Sequence, residues 1–201
     1  MKDLGKLLIF EGPNSVGKTS LSRRLAEHYT AKGDDCLLLA FPGHVDGTIG
    51  SLIYRLHHCP SDIGITSISP SALQIMHVAA HVDAIQTQII PALTEGKTVI
   101  LDRFWWSTIV YGQLNGLPRK LLDSIVQPEI AVWGDIKPTA IFLMDRTTPF
   151  EFTSTPEWAK CAQLYSDFSY ENPSTANLYR VSNQASLNEA LAIVLKKLAK
   201  G

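Results

Sequence analysis

Short apolar runs alternate along this chain with longer stretches of helical period. The runs 6–11, 36–41, 98–102, 139–145 and 178–181 are brief and rich in leucine and β-branched residues, the form of strands buried on both faces of a parallel sheet. Between them, the segments 18–31, 47–58, 71–93, 107–114, 118–133, 156–168 and 186–198 repeat apolar positions at helical spacing. Ser69-Pro70-Ser71 marks a helix start, and Ser186 with Glu189 three residues on matches a capping box. Strand and helix in alternation predict one α/β domain over residues 1–201, a parallel sheet covered by helices. The stretch 60–70 is bounded by prolines, carries Ser61, Gly64, Ser67 and Ser69 without a period, and is expected to be the most mobile connection. No repeat, low-complexity tract or linker divides the chain.

Composition narrows the partners. At 201 residues and 45% hydrophobic content the chain can bury a full core. Eighteen basic residues against nineteen acidic leave a net charge of -1, so no overall basic field is available to hold nucleic acid or an anionic membrane. A small-molecule partner is expected. Cys36, Cys59 and Cys161 are odd in number and form no CxxC pair, which predicts reduced structural thiols. The apolar run before Glu11 is too short for a signal segment and no run approaches membrane-spanning length, so the cytoplasm is the expected location.

The chemistry is concentrated at two strand ends. Gly12-Pro-Asn-Ser-Val-Gly-Lys18-Thr19 fits the pattern GxxxxGK followed by Ser or Thr, directly after a predicted strand and before an amphipathic helix. Gly12 and Gly17 permit a turn that points backbone N–H groups inward, the helix adds its positive end, Lys18 reaches the β and γ phosphates, and Thr19 ligates magnesium. Gly12, Asn14, Ser15, Val16, Gly17, Lys18, Thr19 and Ser20 are therefore the candidate ATP-binding set. In Thr98-Val-Ile-Leu-Asp102-Arg103 an apolar strand ends in a carboxylate suited to the magnesium or its waters, beside a planar cation suited to a phosphate. The competing reading is a strand end closed by a surface ion pair. No NKxD-type guanine-reading motif occurs.

With FEGPNSVGKTS, Phe41-Pro42, PALTEGKTVILDRF followed by Ser107 and Tyr111, and IFLMD ending at Asp145, the chain resembles the thymidylate kinase family of nucleoside monophosphate kinases. The resemblance covers most of residues 7–145 and implies a three-layer P-loop NTPase fold, with a five-stranded parallel sheet and helices on both faces. It also implies ATP and Mg2+ as cofactors, with Lys18 and Thr19 serving them and Asp102 organising metal and water. Arg103 would hold the acceptor phosphate. Asn14 stands where the family usually has an acid near the acceptor sugar, Tyr111 would pack beside that sugar, and Ser107 belongs to the same substrate-binding set. Phe41 and Pro42 would wall the acceptor site, and the helix 71–93 would line it and support a homodimer.

The sequence departs from that pattern in two places. His44 stands where many members carry an arginine, His81 at the place of the base-reading arginine, and His77 at that of the ring stacking on thymine. Histidine is largely neutral near pH 7 and cannot fork onto an oxygen pair. Losing a charge-assisted hydrogen bond costs about 1.5–3 kcal/mol, so an altered base pocket is expected. The second departure is catalytic: the loop interior 13–16 has no cation, and 147–158 has neither arginine nor lysine, leaving Arg146 as the basic candidate beside that lid. A transfer-assisting arginine is worth roughly 10³–10⁵ in rate.

Other features have plainer readings beside the functional ones. His77 and His81, four apart, could face a metal with His57, His58 and Cys59, yet the glutamate of an HExxH site is absent. Trp105 and Trp106 suit either core or an acceptor wall, while Trp133 and Trp158 read as packing. Lys196, Lys197 and Lys200 complement a helix dipole. Three functions remain open: a nucleoside monophosphate kinase, a kinase of an uncharged nucleoside or small alcohol, and a nucleotide-binding regulatory module with little transfer.

Overall fold

The computed structural model describes residues 4–151, 154–172 and 177–199. Five strands, β1 (Leu7–Glu11), β2 (Cys36–Ala40), β3 (Thr98–Asp102), β4 (Ala140–Asp145) and β5 (Leu178–Ser182), form one sheet in the order β2-β3-β1-β4-β5. All four pairings are parallel, with Phe10 opposite both Asp102 and Phe142. This is the predicted α/β architecture, with strand ends within one residue of the expected ones.

Alternation along the strands explains why both faces are covered. Leu7, Ile9, Val99, Leu101, Ile141 and Leu143 enter one core, whereas Leu8, Phe10, Ile100, Phe142 and Met144 enter the other. The second core is closed by α1 (Lys18–Ala31) and α9 (Leu187–Leu198), through Leu21, Leu25, Ala190 and Val194. The first takes α3 (Pro70–Ala84), α4 (Ile90–Thr94), α5 (Trp105–Leu114), α6 (Arg119–Ile125), α7 (Gln127–Trp133) and α8 (Pro156–Glu171). Lys196 and Lys197 occupy the last turn of α9; Lys200 lies outside the described residues.

Two predicted helices change form at prolines. The stretch 71–93 is helical throughout, but Ile85–Ile89 is a π turn between α3 and α4. Pro91 supplies no N–H for an α-type bond to Thr87, and the Ile90 N–H reaches back to Ile85 instead. The stretch 118–133 divides at Val126, where Pro128 opens the second piece, α7. The connection 60–70 contains a 3₁₀ turn at Pro60–Ile63, and Ile63, Ile65 and Ile68 pack on Ile53, Leu56 and Ala80. Among the described residues no helix is long and apolar enough to cross a membrane.

The helix α2 (Ile49–His58), capped by the Thr48 hydroxyl on the Ser51 N–H, presses directly on the loop after β2. A Cβ on Gly50 would stand 2.0 Å from the Pro42 carbonyl oxygen. Glycine to alanine in an unobstructed helix stabilises by about 1 kcal/mol. Gly50→Ala is expected to do the reverse and cost about 1–3 kcal/mol through overpacking. Urea denaturation compares the two proteins, and a gain in stability would contradict this packing.

Candidate active site

At the sheet's centre β1 and β3 end side by side, and the connections leave in opposite directions, the position at which open α/β sheets bind ligands. The loop after β1 turns through Gly12 at φ 138 and Gly17 at φ 91. A Cβ on Gly12 would meet the Met144 carbonyl oxygen at 2.6 Å, and one on Gly17 the Asn183 amide nitrogen at 2.4 Å, so both positions require glycine. Neighbouring elements strap the loop in place. Trp158 Nε1 donates to the Asn14 carbonyl at 2.8 Å, Asn183 Nδ2 to the Val16 carbonyl at 2.9 Å, and the Phe150 N–H to the Ser15 carbonyl at 2.9 Å. Trp158 therefore packs as expected and also holds the loop.

Lys18 is buried and donates from Nζ to the Pro13 carbonyl at 2.6 Å. Burial, reinforced by Arg103, pushes its ammonium down to about 7, against the opposing pull of Asp102 and Glu11. The Thr19 hydroxyl donates to Asp102 Oδ2 at 2.6 Å, while the other oxygen, Oδ1, is buried without a hydrogen-bond partner. A hydroxyl and a carboxylate at that spacing, with one oxygen unsatisfied, form a hard-oxygen set that suits Mg2+.

β1 ends in Glu11, fully buried, a residue sequence reasoning did not single out. Its carboxylate accepts from the Phe104 N–H at 2.8 Å, the Ser107 N–H at 3.0 Å, the Ser107 hydroxyl at 3.0 Å and the Gly12 N–H at 3.3 Å. Glu11 thus caps α5, whose own N-cap Phe104 has no side chain for the task. Burial pushes its carboxyl up, while Arg103 and Lys18 draw it down. The signal available in the sequence was a lone carboxylate ending an otherwise apolar strand.

Arg103 adopts a left-handed conformation, φ 77, and its guanidinium donates to Ser107 Oγ at 3.1 Å and to Asn14 Oδ1, with its carbon 5.2 Å from the Tyr111 ring centre. Burial opposes this charge, but Tyr111, Tyr165, Asp102 and Glu11 outweigh it and hold the group above its ordinary value. Ser107 is fully engaged, since its hydroxyl also meets Tyr165 Oη at 2.7 Å.

Two cavities flank this centre. One, of about 530 Å³, is bordered by Ser15, Gly17, Lys18, Ser20, Phe150 and Glu151. The other, of about 560 Å³, is bordered by Phe41, Pro42, His44, His77, His81, Ser107 and Tyr111, with His57 and His58 completing an imidazole wall. Gly12 and Val16 border neither cavity, Val16 being a core residue.

Some expected residues lie elsewhere. Arg146 borders neither cavity: it donates to the Thr148 carbonyl at 2.9 Å and to the Asn183 carbonyl, and stacks 3.6 Å from the Phe150 ring centre. Glu151 accepts from the Ser15 hydroxyl at 2.7 Å; residues 152 and 153 of that segment are outside the described residues. Trp105 and Trp106 face Phe168 in the core and border neither cavity. Cys36, Cys59 and Cys161 are free thiols. Among the described residues no group of three or more His, Cys, Asp or Glu side chains is placed to hold a metal ion.

The fold and the loop define a P-loop NTPase domain with a second cavity beside its phosphate cradle. The family model for thymidylate kinase matches residues 10–150. The chain is 32% identical over 136 residues to the probable thymidylate kinase of Pyrococcus horikoshii, a match covering 66% of this chain and 65% of that protein. It is 36% identical over 141 residues to the thymidylate kinase of Bartonella henselae, covering 70% and 63%. The crystal structure of thymidylate kinase from Ehrlichia chaffeensis shares the fold at a TM-score of 0.78 and 22% identity, over 96% of this chain and 98% of that one. This chain belongs to the thymidylate kinase family, and it spans less than two thirds of the length of the curated relatives it matches.

With Lys18 held near 7, much of it is neutral in the free protein at pH 8. A bound polyphosphate favours the charged form, so binding raises its pKa and draws in a proton. Titrating ATP at pH 8 in buffers of different ionisation enthalpy is expected to show uptake of roughly half to one proton, lost in Lys18→Ala. No uptake would contradict the neutral resting lysine.

Proposed function

We propose that the chain transfers the γ-phosphoryl group of ATP to the phosphate of a nucleoside monophosphate. The observation that carries this reading is that the two cavities meet: Asn14, Thr19, Asp102 and Arg103 border both. A donor on the loop and an acceptor phosphate on Arg103 would converge there, and such positioning supplies much of the acceleration in phosphoryl transfer. Lys18 would exchange the Pro13 carbonyl for β and γ phosphate oxygens. Thr19 and Asp102 would hold Mg2+, which when bound neutralises charge on the phosphate oxygens. Arg103, its guanidinium propped on Tyr111 and Ser107, would grip the acceptor phosphate. A phosphate monoester, with a second pKa near 6, is already deprotonated at pH 7, so the acceptor oxygen needs no general base.

Asn14 would approach the acceptor sugar, with Tyr111 and the Phe41-Pro42 wall enclosing it. The reading includes a base pocket changed from that expected for thymidylate, supported by His44, His77 and His81 on its border. A homodimer through α3 belongs to the same reading and is supported by the exposure of Ile75 and Met76 on that helix. The second reading, a nucleotide-binding regulatory module, is favoured by the tethering of Arg146 away from both cavities. A half-buried Arg103 on the border of the acceptor cavity favours a charged acceptor over an uncharged nucleoside.

Incubation with magnesium ATP and a panel of nucleoside monophosphates and nucleosides is expected to yield ADP with a monophosphate. Lys18→Ala is expected to lower that rate by 10²-fold or more while the protein stays folded by circular dichroism. ATP binding without turnover on any acceptor would favour the regulatory module, and full activity in Lys18→Ala would overturn the donor site.

A further inference from the structure

Five imidazoles border the acceptor cavity, and His81 is the one that is buried, at 3% exposure. Its Nδ1 lies 2.8 Å from Oε2 of Glu129, a carboxylate with no exposure at all. Glu129 Oε1 has no hydrogen-bond partner, so this contact is the carboxylate's one side-chain bond among the described residues, and an ionised carboxylate only accepts, which puts the proton on Nδ1. Phe41 covers one ring face, with centroids 4.0 Å apart and planes at 11°. The ring is thereby fixed in position and tautomer, and Nε2 makes no hydrogen bond with the described residues. In a neutral imidazole protonated on Nδ1, Nε2 is an acceptor only.

The neighbouring groups do not take over this role. His77 Nε2 and His57 Nδ1 lie 3.2 Å apart and satisfy each other. Burial, followed by the influence of His81, His57 and Arg103, pushes His77 down to about 3, so this part of the wall is neutral. Gln74, two turns earlier on the same face of α3, offers both a donor and an acceptor and does not discriminate.

We propose that His81, its tautomer fixed by Glu129, selects an acceptor base that presents an exocyclic amino group, as cytosine and adenine do. A carbonyl at that place, as in uracil, thymine or guanine, would set an acceptor against an acceptor. The assignment rests on reading this cavity as the acceptor site. Cytosine and uracil nucleotides of the same sugar are nearly equal in size and differ in amino against carbonyl, so they separate this effect from shape.

The test is calorimetric binding of CMP, UMP, AMP and GMP, their deoxy forms and dTMP at about pH 8, with ADP formation followed separately. The cytosine nucleotide is expected to bind at least about tenfold more tightly than its uracil counterpart, as for one hydrogen-bond mismatch. Glu129→Gln offers a donor as well as an acceptor to Nδ1, releases the tautomer, and is expected to narrow that ratio by about threefold or more. His81→Arg, a pure donor, is expected to reverse it. Equal or tighter binding of the uracil or thymine nucleotide by the unaltered protein would overturn the assignment, as would an unchanged ratio in both folded variants. Cytosine preference without ADP formation would sink the transfer reading and leave His81's role standing. Transfer to UMP or dTMP with no cytosine preference would do the opposite, and binding of no nucleotide would overturn both.

Discussion

The buried carboxylate of Glu11 is the interaction on which both halves of the site depend. An isolated charge in a protein interior costs several kcal/mol, and Glu11 offsets that cost with donors drawn from two different segments. The Gly12 N–H belongs to the phosphate loop, whereas the Phe104 and Ser107 N–H groups and the Ser107 hydroxyl open α5. The carboxylate therefore locks the end of β1 to the stretch that carries Asp102 and Arg103. Arg103 is held in a left-handed conformation next to this lock, a strain that surrounding contacts must sustain. Lys18, Arg103 and Glu11 also perturb one another electrostatically, so the charges of the site form one system.

Much of the architecture was legible in the sequence because strand and helix differ in period. Buried parallel strands read as short apolar runs, and all five were placed within a residue. The phosphate loop was legible because its chemistry needs fixed residue types at fixed spacing. What the pattern concealed was local: Pro91 and Pro128 reshape helices whose apolar period runs through them, giving a π turn and a break. The three isoleucines of the connection 60–70 escaped notice because packing on Ile53 and Leu56 requires no period.

The site was less legible, for a related reason. Glu11 and Glu129 matter through partners 93 to 96 and 48 residues away, and nothing in spacing reports such contacts. Trp105 and Trp106 offered two readings, and core packing on Phe168 took them. Arg146 had the charge expected near the transferring group, but its neighbours use that charge to pin Phe150 and Asn183. The histidines were visible as a cluster, but the polarity of His81 depends on a carboxylate from another helix.

The central claim is that one buried carboxylate aligns the two cavities together. Glu11→Gln keeps the size of the side chain, removes its charge and places an amide among hydrogen-bond donors, a change of about 2–4 kcal/mol. Titrating ATP and then the preferred monophosphate against this variant, with thermal unfolding alongside, is the direct test. Loss of both affinities together, with a lower unfolding temperature, is the expected result; wild-type affinity for both nucleotides at an unchanged unfolding temperature would contradict the account.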